Sequence, residues 1–176
     1  SRNEFQYLMK QKLHDLLAFS IRRVLSLLDR DFASSTLGCF DKSYWHYKTA
    51  SFPNSMMQNY AYSLAEFYNL LDLNKNDNRE MPKKLTSLIS QESLKRFSQK
   101  AIDYLFQIQH KDGSLDEHYY NERSVVATAF PLVSALKSEV IFCSVLNNMP
   151  KDDGRKSHYK KDEKVFEAFK KNFRNF

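Results

Sequence analysis

Two short stretches of the sequence combine a carboxylate with aromatic side chains, the groups that bind and cleave sugars. Residues 38–45 read Gly-Cys-Phe-Asp-Lys-Ser-Tyr-Trp, and residues 113–120 read Gly-Ser-Leu-Asp-Glu-His-Tyr-Tyr. Each has a glycine, an aspartate three residues later and then an aromatic pair. Two carboxylates can supply the acid and the base that break a glycosidic bond, and flat aromatic faces bind sugar rings. The candidate catalytic residues are Asp41, His46, Asp116 and Glu122; the candidate substrate-binding residues are Tyr44, Trp45, Lys48, Tyr119, Tyr120 and Arg123.

A structural interpretation of the same residues stays open. Aspartates after a turn often accept hydrogen bonds from backbone N–H groups, and a motif repeated at equivalent positions favours this role. Aromatic residues are also abundant, with 14 Phe and 10 Tyr, so many must lie in the core. The histidines have no metal-ligand spacing, and phosphate-binding glycine loops and nucleophile motifs are absent. We therefore predict no metal and no cofactor.

Apolar residues at three- and four-residue steps predict a series of long helices. The first covers about residues 3–28. The second begins at Ser55, whose hydroxyl is in capping-box spacing with Gln58. The third covers about 91–109 after an N-cap at Ser90, and the fourth covers about 122–147. Each helix has a predicted buried stripe. In the first helix it is Phe5, Leu8, Leu13, Leu16, Leu17, Ile21, Val24, Leu25 and Leu28, and in the second it is Met57, Tyr60, Ala61, Leu64, Phe67, Tyr68 and Leu71. In the third helix it is Leu94, Phe97, Ala101, Tyr104, Leu105 and Ile108, and in the fourth it is Val126, Ala129, Phe130, Val133, Leu136, Val140, Phe142 and Leu146.

These patterns, with only 3 Gly and 4 Pro, predict an all-α protein of about five helices in antiparallel hairpins. Residues 1–148 form two hairpin repeats, 1–72 and 90–148, joined by a polar linker at 73–89. Residues 149–176 form a basic linker and a terminal amphipathic helix. We expect its stripe of Phe166, Phe169 and Phe173 to be covered by a protein partner or by a C-terminal region missing from this chain.

The segment Leu105–Ser114, reading LFQIQHKDGS, resembles the repeat of α/α-toroid proteins, which include terpenoid-cyclase-like and prenyltransferase-like barrels and heparinase-like polysaccharide lyases. The next helix start, Ser124–Phe130, is similar to the small-residue inner helix of such barrels. Because a toroid has about twelve helices, the resemblance implies the N-terminal part of one. Leu115 and Phe40 replace the cyclase tryptophan and no Asp-x-Asp-Asp motif occurs, so terpenoid cyclisation is not implied. The sequence is also similar to uncharacterised proteins linked to surface-polysaccharide clusters.

The net charge of +6 is concentrated at the C-terminal end, where residues 149–176 carry nine Lys or Arg against five Asp or Glu. Because this excess lies away from the two motifs, nucleic acid is not the expected partner. No apolar run approaches the roughly 18 residues of a membrane span, and no signal sequence is evident, so we expect a cytoplasmic protein without a transmembrane segment. The predicted function is binding or processing of a polysaccharide. The alternative is a non-catalytic helical scaffold or protein-interaction module.

Overall fold

The computed structural model describes residues 2–46, 48–76 and 83–147, and within these ranges helices are joined by loops. The all-α class is therefore confirmed, whereas the hairpin arrangement and the toroid stay predictions. A 3-10 turn at Ser55–Asn59 precedes the third α-helix. The α-helices are α1 (Arg2–Leu27), α2 (Lys42–Trp45), α3 (Tyr60–Asn76), α4 (Lys83–Thr86), α5 (Gln91–Gln107) and α6 (Val125–Asn147).

Helix α3 lies at the centre of the described fold and packs most extensively against α5 and α6. The Ser98 hydroxyl of α5 donates to the Ala61 carbonyl at 2.8 Å, and the Gln91 amide of α5 donates to the Asp72 carboxylate at 3.2 Å. Since the later residue of α5 meets the earlier residue of α3, the two helices run antiparallel. The predicted stripes of α3 and α5 supply most of the core, with Leu64, Phe67, Leu94, Ala101 and Leu105 each at most 2% exposed.

The sequence predicts Ser90 and Ser55 as capping residues at two helix starts, and the prediction for Ser55 is wrong. Ser90 caps α5 as expected, with its hydroxyl accepting from the Ser93 N–H at 3.1 Å. At the other start the cap is Asn54, whose side chain accepts from the Met56 N–H at 2.9 Å. Ser55 instead donates its hydroxyl to the Ala127 carbonyl of α6 at 3.0 Å, so it is buried between two helices rather than at a free helix end.

The predicted buried stripe of α1 is wrong for the first half of the helix. Ala18, Ile21, Val24, Leu25 and Leu28 are buried, because only the C-terminal half of α1 packs on the core. Residues 5–19 of α1 present a separate apolar face that nothing in the described part of the chain covers. Its large side chains, each between 43% and 66% exposed, are Phe5, Leu8, Met9, Leu13, Leu16 and Phe19.

The predicted stripe of α6 is also largely wrong, because this helix is apolar on every side and periodicity cannot select its inner face. The side that packs inward contains Ala127, Leu132, Ala135 and Phe142. Among the described residues, α6 is the one helix with the length and apolar content of a membrane span, so the predicted absence of such a segment is not confirmed. Core helices of globular proteins meet the same two criteria. The exposed members of the predicted stripe are Val126, Ala129, Phe130, Val133 and Val140.

The predicted linker at 73–89 contains the last turn of α3 and the short helix α4. Leu85 of α4 is fully buried, so this connection contributes to the core. The basic linker and terminal helix predicted at 149–176 lie outside the described residues, as do Phe166, Phe169 and Phe173.

Candidate functional site

The two repeated motifs lie in two loops that meet at the start of the 3-10 turn. We call residues 29–50 the first loop and residues 109–124 the second loop. The Asn54 N–H donates to the Asp41 carboxylate of the first loop at 2.9 Å. The next N–H, of Ser55, donates to the Asp116 carbonyl of the second loop at 3.0 Å. One dipeptide therefore holds both loops at the same end of α3.

Asp116 is the centre of the second loop, and its carboxylate accepts three hydrogen bonds from within that loop. The donors are the His110 Nε2 at 2.9 Å, the Asn121 N–H at 2.9 Å and the Arg123 N–H at 3.0 Å. Burial acts to raise the pKa of Asp116, which is 7% exposed, but these hydrogen bonds hold the pKa below its usual value. Asp116 is thus an ionised acceptor already used by its own loop.

The left-handed backbone of the second loop explains how two N–H groups reach one carboxylate. Asn121 has φ 62° and Arg123 has φ 53°, a left-handed backbone conformation that residues other than glycine rarely adopt. Both residues donate their N–H groups to Asp116. Such strain persists where surrounding hydrogen bonds over-determine the backbone.

Glu122 and Arg123 also hold the second loop together. The Glu122 carboxylate accepts from the N–H groups of His118 and Glu117 at 2.9 Å each, and these bonds lower the pKa of Glu122. The Arg123 guanidinium pairs with Asp112. The pKa of Asp112 is lowered to about 2, chiefly by the hydroxyl and N–H of Ser114 and further by Arg123.

The aromatic pair of the second loop points away from the core. Tyr119 is 73% exposed and Tyr120 is 66% exposed. The Tyr120 ring lies 6.1 Å from the Phe52 ring, beside the dipeptide that joins the loops. These two tyrosines therefore form an open surface rather than the wall of a cavity.

The first loop, in contrast, lines an open cavity of about 590 Å³. Three predicted substrate-binding residues, Tyr44, Trp45 and Lys48, lie in its wall. The polar part of its lining comes from the turn after α1, a segment that contained no predicted site residue. Its residues are Asp31, Ser34, Ser35 and Thr36, and Ala50 completes the lining.

Asp29, which is 2% exposed, binds the hydroxyl groups of this polar lining. Its carboxylate accepts from the Ser34 hydroxyl at 2.6 Å, the Thr36 hydroxyl at 2.7 Å and the Asp31 N–H at 3.0 Å. Burial acts to raise the pKa of Asp29, but these hydrogen bonds keep it lowered overall. The sequence signal that could have found this cluster is an aspartate followed by Ser and Thr within seven residues, a pattern typical of side-chain-stabilised turns.

The remaining candidates of the first loop have structural contacts as well. The Trp45 indole N–H donates to the Leu27 carbonyl at 3.4 Å, and its ring lies against the exposed His46 ring, with 3.2 Å between centroids. Lys48 has a left-handed φ of 49°. Asp41 does not line the cavity, because its carboxylate faces the Asn54 N–H.

Comparisons with known proteins add no assignment to this geometry. No family model, no curated protein and no solved structure matches the chain. Among residues 2–46, 48–76 and 83–147, no group of three His, Cys, Asp or Glu side chains is arranged to hold a metal ion.

Proposed function

We propose that this chain is a carbohydrate-binding module that holds a glycan in the cavity of the first loop. The observation that carries the proposal is the composition of that cavity, whose lining combines Tyr44 and Trp45 with three hydroxyl side chains. Its volume of about 590 Å³ falls within the roughly 300–1,000 Å³ of typical ligand pockets.

The hydroxyl wall suits a ligand that is rich in hydroxyl groups. Ser34 and Thr36 donate to the ionised Asp29, and each hydroxyl oxygen keeps acceptor capacity for a ligand O–H. The flat rings of Tyr44 and Trp45 provide apolar area of the kind that sugar rings contact. Lys48 adds three N–H donors and one positive charge, which favour a glycan that carries carboxylates.

Binding is favoured over cleavage by the hydrogen bonds of the candidate catalytic carboxylates. A general acid must present a proton to the leaving group, and its pKa is raised for that task. The pKa values of Asp116 and Glu122 are lowered instead, and both carboxylates accept backbone N–H groups. Asp41 likewise binds the Asn54 N–H.

Calorimetric titration with neutral and uronate-containing oligosaccharides tests the proposal. We expect Tyr44→Ala to weaken binding about tenfold, the effect of roughly 1.4 kcal/mol of lost contact. The matched control is Tyr120→Ala, which removes the same ring from the second loop. Equal weakening by both variants, or no binding of any oligosaccharide by the wild type, would contradict the proposal.

An alternative function, a protein-interaction module, is favoured by the exposed face of α1. We propose a second copy of the chain as the partner in that case. The six side chains from Phe5 to Phe19 offer roughly 600 Å² of exposed apolar area, given about 200 Å² for a large side chain. A standard interface buries about 800 Å² on each partner, so this face is nearly sufficient.

Sedimentation of the wild type and of Leu13→Asp tests this alternative. Leu13 is 59% exposed, so the substitution leaves the core unchanged. The alternative predicts a wild-type dimer and a monomeric variant. A wild type that stays monomeric across a wide concentration range contradicts it.

A further inference from the structure

Two hydroxyl groups of the cavity lining, on Ser34 and Thr36, already have acceptors for their protons. Each hydroxyl carries one proton, and both donate to the same carboxylate oxygen, Oδ2 of Asp29, at 2.6 Å and 2.7 Å. The two hydroxyl oxygens also lie 2.9 Å apart, so either proton could bind the neighbouring hydroxyl instead. In every one of these arrangements both protons stay within the cluster.

Asp29 keeps these protons because it is ionised. Burial acts to raise the pKa of Asp29, but its hydrogen bonds keep the pKa below its usual value. An ionised carboxylate accepts hydrogen bonds and cannot donate them. Hydrogen bonds to such a charged group are about twice as strong as those between neutral groups, so a neutral ligand group competes poorly for either proton.

The same part of the lining can still accept hydrogen bonds. The Ser34 oxygen accepts from the Thr36 N–H at 3.2 Å, which leaves it one further acceptor position. Asp31, which also lines the cavity, carries a carboxylate that accepts from the Ala33 N–H at 2.9 Å. Asp31, Ser34 and Thr36 therefore offer acceptors, and a ligand group beside them has to supply the proton.

We propose that the cavity selects glycans whose hydroxyl groups are free rather than acylated, and that Asp29 is the positioning residue that sets this selection. The inference rests on the proposed function, because it concerns the ligand of the same cavity. A free sugar hydroxyl donates its proton to Ser34 or Thr36. An O-acetyl group has no such proton and places acceptors against acceptors, which leaves polar groups unsatisfied. Sites that bind a substrate hydroxyl reject analogues that lack it for this reason.

Ser35 provides a matched control in the same lining. Its carbonyl accepts from the Gln107 amide at 3.5 Å, whereas no hydrogen bond among the described residues fixes its hydroxyl. A hydroxyl that is free to rotate can donate or accept. Ser35 therefore accommodates a free or an acylated sugar position, and its removal is expected to affect both alike.

Calorimetric titration of the full chain with trigalacturonate and with its O-acetylated form tests the inference. We expect the wild type to bind the free form about tenfold more tightly. Thr36→Val keeps the shape of the side chain and removes the hydroxyl, so the free form loses affinity, the acetylated form does not, and the preference falls. Ser35→Ala is expected to keep the wild-type preference.

Asp29→Asn tests the positioning role directly. Its side-chain amide can donate to the hydroxyl oxygens of Ser34 and Thr36, which releases a hydroxyl proton for the ligand. We expect the preference to fall towards equal binding of the two forms. A residue that only stabilised the loop would weaken both forms by the same factor and leave the preference unchanged.

The outcomes separate this inference from the proposed function. A wild type that binds neither form contradicts both, whereas a wild type that binds both forms equally keeps the glycan in the cavity and overturns the selection. An equal preference in the wild type, Asp29→Asn and Thr36→Val would assign the preference to the bulk of the acetyl group and overturn the role of Asp29. Thr36→Val alone decides the matter if Asp29→Asn does not fold.

Discussion

The first and second loops share a sequence motif but use their aspartates differently. In the second loop, Asp116 accepts three hydrogen bonds from its own loop. In the first loop, the equivalent Asp41 binds a single N–H from outside, and a different aspartate, Asp29, orders the turn. The aspartate of the second loop is therefore used within its own loop, whereas the first loop lines an open cavity.

This difference shows that a repeated motif can preserve the backbone while the local polar network diverges. Gly38 and Gly113 have nearly the same left-handed φ, 93° and 87°, and the apolar residue two positions later, Phe40 or Leu115, is fully buried in each loop. The shared part of the motif therefore anchors each loop to the core. Ligand binding is expected where the network leaves space.

The two equivalent glycines should differ most in their tolerance of alanine. A Cβ at Gly38 would lie 2.2 Å from the Lys100 carbonyl oxygen of α5, so the loop would have to shift off that helix. We expect Gly38→Ala to lower the free energy of unfolding by about 4 kcal/mol, from overpacking and the left-handed φ together.

Gly113→Ala is the control, because its φ carries the same conformational penalty, about 1–2 kcal/mol. Urea unfolding of the two variants measures the difference. If Gly38→Ala and Gly113→Ala lower the free energy of unfolding equally, the close packing of Gly38 against α5 does not stabilise the first loop.

The two equivalent aspartates should also differ in their contribution to stability. Asp116→Ala leaves two backbone N–H groups and His110 without their acceptor, and we expect a loss of about 3 kcal/mol. Asp41→Ala removes one hydrogen bond from Asn54, and we expect about 1 kcal/mol. Chemical unfolding at pH 7 compares the two variants. A larger loss of unfolding free energy for Asp41→Ala would contradict the greater structural role assigned to Asp116.

Acid should weaken both loops through Asp29 and Asp116, whose pKa values are lowered in the folded protein. A lowered pKa means that the stabilisation is fully present above the ordinary value of 3.8 and is lost as the pH falls through the folded value. We expect Asp29→Asn and Asp116→Asn each to reduce the slope of unfolding free energy against pH below about pH 4.

Unfolding curves between pH 2 and pH 7 measure these slopes. Asp103→Asn is the control, since this carboxylate is exposed and pairs only with Lys100 on the surface of α5 in the described structure. A variant slope that matches the wild type would show that its aspartate does not order its loop.

Local patterns were sufficient to predict the class, the four long helices α1, α3, α5 and α6, and one helix cap; the short helices α2 and α4 were missed. The α5 stripe was predicted because that helix has one apolar side, and the α3 stripe because its apolar residues are the ones that pack on α5 and α6. Ser90 was predicted because its partner is three residues away. The buried faces of α1 and α6 were not predicted correctly, because α1 carries two apolar faces and α6 is apolar on every side.

The candidate site was predicted only in part, for a similar physical reason. Tyr44, Trp45 and Lys48 lie close together in sequence, and the loop keeps them together in the cavity wall. The roles of Asp29 and Asp41 depend on which donors reach each carboxylate, and the donor to Asp41 comes from Asn54, 13 residues away. Such choices follow from the packing of the loops on α3, which periodicity does not specify.

Trp45 offers the most direct measurement of the central claim, that the first loop binds the ligand and the second supports the fold. It is the one tryptophan of the chain and lies in the cavity wall, so its fluorescence reports on the first loop alone. We predict that a uronate-containing oligosaccharide shifts the Trp45 emission saturably, and that the shift persists in Tyr120→Ala but weakens in Tyr44→Ala. A saturable calorimetric binding signal with no change in Trp45 emission would contradict the account.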